Sequence, residues 1–240
     1  MIIHGINAVT EALQDEKPTV EKILITRGRA NARLQKIIDL ARARGVPVQF
    51  QPQEALNRKA GSPRHQDVVA EMSAGTLASF EEILDTDPKL ILLLDGVEDP
   101  RNLGAVLRTA EAAGAEAILL PRHHSCGITP AVVQVSAGAA LHLKIAHIGN
   151  LVTTLEKLKK QDYWTVGLDM QGKNTVREID PKLKLAVVIG GEHRGVRPLV
   201  RQHCDFLISL PMKGRVSSLN LSVAAGILLY QLLERGAVAR

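Results

Sequence analysis

Leu210-Pro211-Met212-Lys213-Gly214-Arg215-Val216-Ser217-Ser218-Leu219-Asn220 joins an apolar strand at 206–210 to a long apolar segment at 221–234. Pro211 stops the strand, and a polar loop containing Gly214 follows. Ser217 or Ser218 is suited to the N-cap of the next segment, since a hydroxyl there satisfies a free amide of the first helical turn. Leu219, Leu221, Val223, Ala224, Ala225, Ile227, Leu228, Leu229, Leu232 and Leu233 leave little polar face, which predicts a helix buried nearly all round. Asn220 stands out as a polar amide just inside that helix. A buried amide needs a partner; an ordinary core contact and a ligand both satisfy that requirement.

Working back from this stretch, the chain from Lys89 alternates strand and helix. Residues 90–94 are uninterruptedly apolar, as in a sheet covered on both faces. Asp95-Gly96 ends this strand, and Asn102 is placed to cap a helix at 103–113 that Gly114 terminates. Further strands are predicted at 117–120, 164–168 and 186–189, and further helices at 130–140 and 151–160. The pattern is that of a parallel α/β domain of about 150 residues.

The N-terminal part reads as a small α/β unit of its own. Helices are predicted at 6–13, 31–44 and 53–59, and strands at 20–26, 46–50 and 68–72. Between positions 27 and 64 it carries nine Arg or Lys, among them Arg27, Arg29, Arg33 and Arg64, against Asp39 and Glu54. Such a run is either a solvated face or a surface for phosphates, which demand positive charge without aromatics. Residues 78–88 reverse the sign, with Glu81, Glu82, Asp85 and Asp87 and no basic side chain. This divides the chain into 1–77, an acidic linker at 78–88, and 89–240.

Composition narrows the function classes. A hydrophobic fraction of 45% sustains a real core, while 2% aromatics argues against stacking platforms for single-stranded bases. The net charge of +5 is compatible with a nucleic-acid partner but does not demand one. Two cysteines, Cys126 and Cys204, make no disulfide framework and suit a reducing compartment. The start, Met1-Ile2-Ile3-His4-Gly5, lacks the pattern of an export signal, and no apolar run approaches the roughly 20 residues of a membrane span. A soluble cytoplasmic protein is the expectation. His123-His124-Ser125-Cys126 and His203-Cys204 lack the spacing of a zinc site, so no metal is expected.

Three loops follow apolar strands, where ligands of parallel sheets sit: 95–104 with Arg108 beyond it, 190–195, and 210–220. None has the spacing of a dinucleotide or P-loop fingerprint. Arg108, among alanines, valine and leucine, invites a local ion pair with Glu111 or an anionic ligand. Glu192 is either a solvated loop acid or an orienting partner for Arg108.

Together the loops resemble the three motifs of the SpoU (TrmH-type) RNA 2′-O-ribose methyltransferases of the SPOUT superfamily. Asp99-Pro100-Arg101-Asn102-Leu103-Gly104-Ala105-Val106-Leu107-Arg108-Thr109-Ala110 resembles the first, and Val188-Ile189-Gly190-Gly191-Glu192-His193-Arg194-Gly195-Val196 the second. Leu210-Pro211-Met212 through Ser218-Leu219-Asn220-Leu221-Ser222-Val223-Ala224 resembles the third. The N-terminal unit, with His4-Gly5-Ile6-Asn7-Ala8-Val9 and His65-Gln66-Asp67-Val68-Val69-Ala70, is similar to the family's RNA-binding domain.

The resemblance implies a parallel-sheet catalytic domain tied in a deep trefoil knot, S-adenosyl-methionine as cofactor, RNA as substrate and a homodimer. By motif position it implies cofactor contacts from Gly190, Leu210 and Leu219, and catalytic roles for Asn102, Arg108, Glu192, Ser218 and Asn220. The basic side chains Arg27, Arg29, Arg33 and Arg64 would meet RNA. Within the family, the similarity points to members acting on a guanosine ribose of bacterial 23S rRNA. Transfer RNA methylation and a non-catalytic RNA-binding protein are the alternatives. Arg101 and the His193-Arg194 pair depart from the family pattern at positions outside the proposed catalytic set.

Overall fold

A computed structural model of the 240-residue chain describes residues 1–14, 20–29, 31–72, 77–180, 182–191, 195–216 and 218–236. These residues group into two compact units, 1–76 with 128–142 and 77–127 with 143–240.

The first unit is built on four strands: β1 (Ile2–His4), β2 (Val20–Thr26), β3 (Val48–Gln51) and β4 (Val68–Met72). Their order is β1-β4-β2-β3, with β4 antiparallel to both neighbours and β2 parallel to β3. Helices α1 (Ile6–Gln14), α2 (Ala32–Ala43) and α3 (Gln53–Ala60) complete it. Asn31 caps α2 by accepting from the Leu34 amide, and α2 turns Leu34, Ile37 and Ala41 inward while its basic side chains stay outside. The short strand β1 was not legible as a strand, its three residues giving too few alternations to set a period.

The second unit carries six strands: β5 (Leu90–Asp95), β6 (Ala117–Pro121), β7 (Lys144–Ile148), β8 (Tyr163–Leu168), β9 (Lys184–Gly190) and β10 (Phe206–Ile208). All run parallel in the order β10-β8-β9-β5-β6-β7. Every residue of β5 is buried, as its unbroken apolar run requires. Beyond β7 the chain crosses to the other side of β5, where β9 pairs with β5 and β8 with β9, so the strand order reverses between β5 and β9. That reversal opens a crevice at the carboxyl ends of the strands.

Among the described residues this unit has five α-helices: α4 (Phe80–Leu84), α5 (Pro100–Ala112), α7 (Leu151–Lys159), α8 (Pro198–Gln202) and α9 (Leu221–Glu234). The short α6 (Pro130–Val135) and a 3-10 turn at Ala139–Leu141 group with the first unit, and occupy the stretch expected as one helix at 130–140. Residues 78–88, read as an acidic linker, contain α4. Ser79 caps it in a reciprocal capping box with Glu82, and Phe80 and Ile83 are buried in the core of the second unit. The acidic side chains occupy the outer side of an element held by two apolar ones.

Three expectations about caps and faces are corrected. The N-cap of α5 is Asp99, whose carboxylate accepts from the Arg101 amide, and Pro100 opens the helix; Asn102 is already in its first turn. The N-cap of α9 is Asn220, not Ser217 or Ser218; Ser217 lies outside the described residues. Finally, α9 is not buried all round. Leu221, Ala225, Leu228, Leu229 and Leu232 face inward, whereas Val223, Ile227 and Tyr230 form an exposed apolar stripe at i, i+4, i+7 spacing.

Candidate active site

Three chain segments meet at the crevice because glycines let their backbones close. The Gly191 amide donates to the Asp95 carbonyl at 2.7 Å, and the Gly195 amide donates back to the Gly191 carbonyl at 2.9 Å. A methyl group on Gly190 would overlap the backbone of Gly195 and Val196, and one on Gly191 would overlap the Gly96 carbonyl. The loop after β8 crosses the strand β10 in the same way. Asp169 donates its amide to Ile208 and Asn174 donates its amide to Leu207, both at 2.9 Å, while Gly172 sits against the backbone of 207–209.

These crossings frame a cavity of about 1020 Å³. Leu168, Met170, Ile189, Leu210 and Leu219 supply apolar walls, Gly190 and Gly191 supply bare backbone, and Ser218 and Asn220 stand at one side. Asp169 also lines it, with its carboxylate 3.4 Å from the Arg201 guanidinium. The cavity has the size and mixed character of a site for a nucleoside-sized ligand.

The structure brings Asn102 and Asn220 together. Asn220 Nδ2 donates to Asn102 Oδ1 at 3.1 Å, while Asn220 Oδ1 accepts from the Ser222 amide at 2.9 Å and its hydroxyl at 2.6 Å. One amide thus caps α9 and ties α5 to it. Of the other residues singled out from sequence, Gly190, Leu210, Leu219 and Ser218 line the cavity. Arg108 lies farther along α5, exposed and outside that lining. Among the described residues its side chain makes no hydrogen bond or ion pair, so the local pair with Glu111 does not form. Glu192 lies outside the described residues.

A second hollow of about 730 Å³ shares the wall formed by Gly191 and Gly195. The ends of β5 and β6 contribute Asp95, Glu98, Asp99, His123 and His124, and Arg197 closes it. Asp95, its side chain only 2% exposed, accepts from Arg197 Nε at 2.8 Å and from the Arg197 amide at 3.1 Å. Sequence reasoning passed over Arg197. The signal was a buried aspartate ending an apolar strand, which requires a cationic partner.

Neither cysteine is poised as a nucleophile. Burial pushes the Cys204 thiol up to about 12, and burial together with the Asp99 charge raises Cys126. Among the described residues no group of three or more His, Cys, Asp or Glu is arranged to hold a metal ion, and no helix is long and apolar enough to cross a membrane.

Comparison with known proteins places this geometry. Residues 89–230 match the model of the SpoU rRNA Methylase family, and residues 2–76 match that of the RNA 2′-O ribose methyltransferase substrate-binding domain. The 23S rRNA (guanosine-2′-O-)-methyltransferase RlmB of Xylella fastidiosa is 40% identical over 238 residues, covering 97% of this chain and 96% of that protein. A crystal structure of an RNA 2′-O ribose methyltransferase superposes with TM-score 0.76 at 26% identity, covering 98% of this chain and 88% of the other. The SpoU methyltransferase AviRb from Streptomyces viridochromogenes, solved in complex with AdoMet, shares the fold with TM-score 0.82 at 22% identity, covering 98% of this chain and 90% of its own.

Proposed function

The chain belongs to the SpoU rRNA methylase family, and from that premise we propose how it methylates ribose 2′-hydroxyls of RNA with S-adenosyl-methionine. The acceptor is a guanosine of 23S rRNA, the substrate named for its 40%-identical relative. The observation that carries the reading is the 1020 Å³ cavity at the sheet's switch point, with the Asn102–Asn220 bond beside it. Gly190, Leu210 and Leu219 hold the cofactor, largely through backbone groups and apolar contact.

The cofactor brings a methyl group already activated by its sulfonium. The protein's task is therefore to align a 2′-hydroxyl in line with that methyl and to assist loss of its proton. Asn220 and Ser218 hold the loop and the ribose. Arg108 carries a permanent charge, so its role is to bind the phosphate beside the target and to stabilise the developing alkoxide, with the proton passing to phosphate or water. Asn102 and Glu192 orient it. Arg108 is exposed, which supports a guanidinium accessible to RNA.

The first unit captures RNA. Arg27, Arg29, Arg33 and Arg64 are exposed, as phosphate contacts must be. We further assign the second unit a trefoil knot, supported by the close backbone crossings at Gly172, Gly190 and Gly191. We also assign a homodimer formed through the exposed stripe of Val223, Ile227 and Tyr230, and a cytoplasmic location beside the ribosomal substrate.

Incubation with labelled S-adenosyl-methionine and separate rRNA and tRNA pools tests the function. Label is expected in rRNA. Label in tRNA alone overturns the substrate, and label in neither overturns the activity.

A further inference from the structure

The second hollow has a charge pattern that a phosphate-binding groove would not have. Three carboxylates, from Asp95, Glu98 and Asp99, line it with one guanidinium, Arg197. An anion entering there meets net repulsion. A neutral group with a donor edge and an acceptor edge meets complementary partners on both sides.

Arg197 is held for such a role. Its Nε and its backbone amide are engaged by the buried Asp95 carboxylate. Its terminal nitrogens make no hydrogen bond among the described residues, and its side chain is 53% exposed. Fixing Nε removes much of the flexibility of an arginine and leaves a planar fork aimed outward, the geometry suited to two adjacent acceptors. Glu98 is nearly free: its ion-pair partner is His124 at 3.7 Å, and both side chains are largely exposed.

We propose that this hollow seats the base of the target nucleotide and that Arg197 and Glu98 select guanine. The proposal rests on the RNA 2′-O-methyltransferase reading and deepens it. Guanine offers acceptors at O6 and N7 and donors at N1 and N2, whereas adenine puts a donor at N6. Arg197 takes the acceptor edge, and Glu98 accepts from the donor edge. Adenine would set its N6 hydrogens against the guanidinium and its N1 lone pair against the carboxylate. Gly191 and Gly195 form a wall common to both cavities, so a base in one lies within a nucleoside's reach of a methyl donor in the other. Ribosomal RNA presents such a base when a single-stranded loop splays it out of the stack.

The test begins with the wild-type chain, tritiated S-adenosyl-methionine and unmodified rRNA transcripts, followed by hydrolysis to nucleosides and chromatography. Label in 2′-O-methylguanosine is expected. Label in another 2′-O-methylnucleoside overturns this inference while leaving the methyltransferase reading intact; no label overturns both. At the mapped position, Glu98→Ala and Arg197→Lys should each lower kcat/KM by about tenfold or more, with affinity for S-adenosyl-methionine unchanged. Glu98→Ala should also narrow the preference for guanosine over an adenosine placed at the same position. Arg197→Lys keeps the charge that Asp95 requires, and Glu98 is exposed, so both variants are suited to folding. Wild-type rates and wild-type base preference in both variants would overturn the assignment.

Discussion

Gly172→Ala gives the sharpest test of how the cavity proposed for the cofactor is held. An alanine Cβ at this position would lie 2.5 Å from the Ile208 carbonyl carbon, 2.6 Å from the Leu207 carbonyl oxygen and 2.7 Å from the Ser209 amide nitrogen. All three are backbone atoms, so no side-chain rotation relieves the overlap. Reaching ordinary contact requires the two segments to part by about 1 Å. Three hydrogen bonds span that crossing: Asp169 N to Ile208 O, Asn174 N to Leu207 O, and Leu207 N to Asn174 Oδ1. Overpacking costs about 1–3 kcal/mol, and each weakened bond adds about 0.5–1.5 kcal/mol. With all three bonds weakened, the expected loss in unfolding free energy is about 2.5–7.5 kcal/mol. Met170 and Gln171 on one segment and Ser209 and Leu210 on the other line the cavity, so the same separation deforms it. A shift of about 1 Å at a reacting centre is worth about 100-fold in rate. Urea unfolding reads the stability, and calorimetric titration with S-adenosyl-methionine together with single-turnover methylation reads the site. Gly149→Ala is the control, since its added methyl meets nothing within 4 Å. A Gly172→Ala protein with wild-type midpoint and wild-type cofactor affinity would refute the reasoning.

Arg108→Ala should leave cofactor affinity nearly unchanged and remove turnover, because Arg108 lies outside the cavity proposed for the cofactor; wild-type turnover would reject its assignment. Asn220→Ser should retain a helix cap, and so most of the stability, while losing the amide bond to Asn102. A fall in methylation far exceeding the change in urea midpoint is the outcome to look for, whereas parallel losses would mean a purely structural role. Burial alone would raise the Asp205 carboxyl, but hydrogen bonds from Lys159 and Thr165 more than offset it and hold the group below its usual value. A depressed folded value means its stabilisation is present above the unfolded value and is lost as pH falls through the folded one. The stability gap between wild type and Asp205→Asn should therefore be full at neutral pH and shrink below about pH 4; a gap independent of pH would contradict the linkage. Charge reversal at Arg27 and Arg33 should flatten the dependence of log affinity on log salt by about 0.7 per lost phosphate contact on single-stranded RNA. An unchanged slope would locate RNA elsewhere.

What could be read from the chain alone was local. The apolar run of β5, the helical spacing of Leu34, Ile37 and Ala41, and the glycines after the strands each state a preference within a few residues. They sufficed for the strand–helix alternation and for the three loops that carry the family likeness. Local pattern also misplaced a helix end: the cap expected at Asn102 falls at Asp99, because the ring of Pro100 fits the first helical position. A mostly apolar α9 likewise carries little mark of which side faces outward, since hydrophobic burial has no direction until neighbours supply it. Strand order, the crossing at Gly172, the meeting of Asn102 with Asn220 and that of Asp95 with Arg197 belong to the tertiary structure. The last two pairs are 118 and 102 residues apart. Hydrogen bonds and ion pairs act over a few ångströms, so only a folded sheet that reverses its strand order could bring such groups within reach of one another.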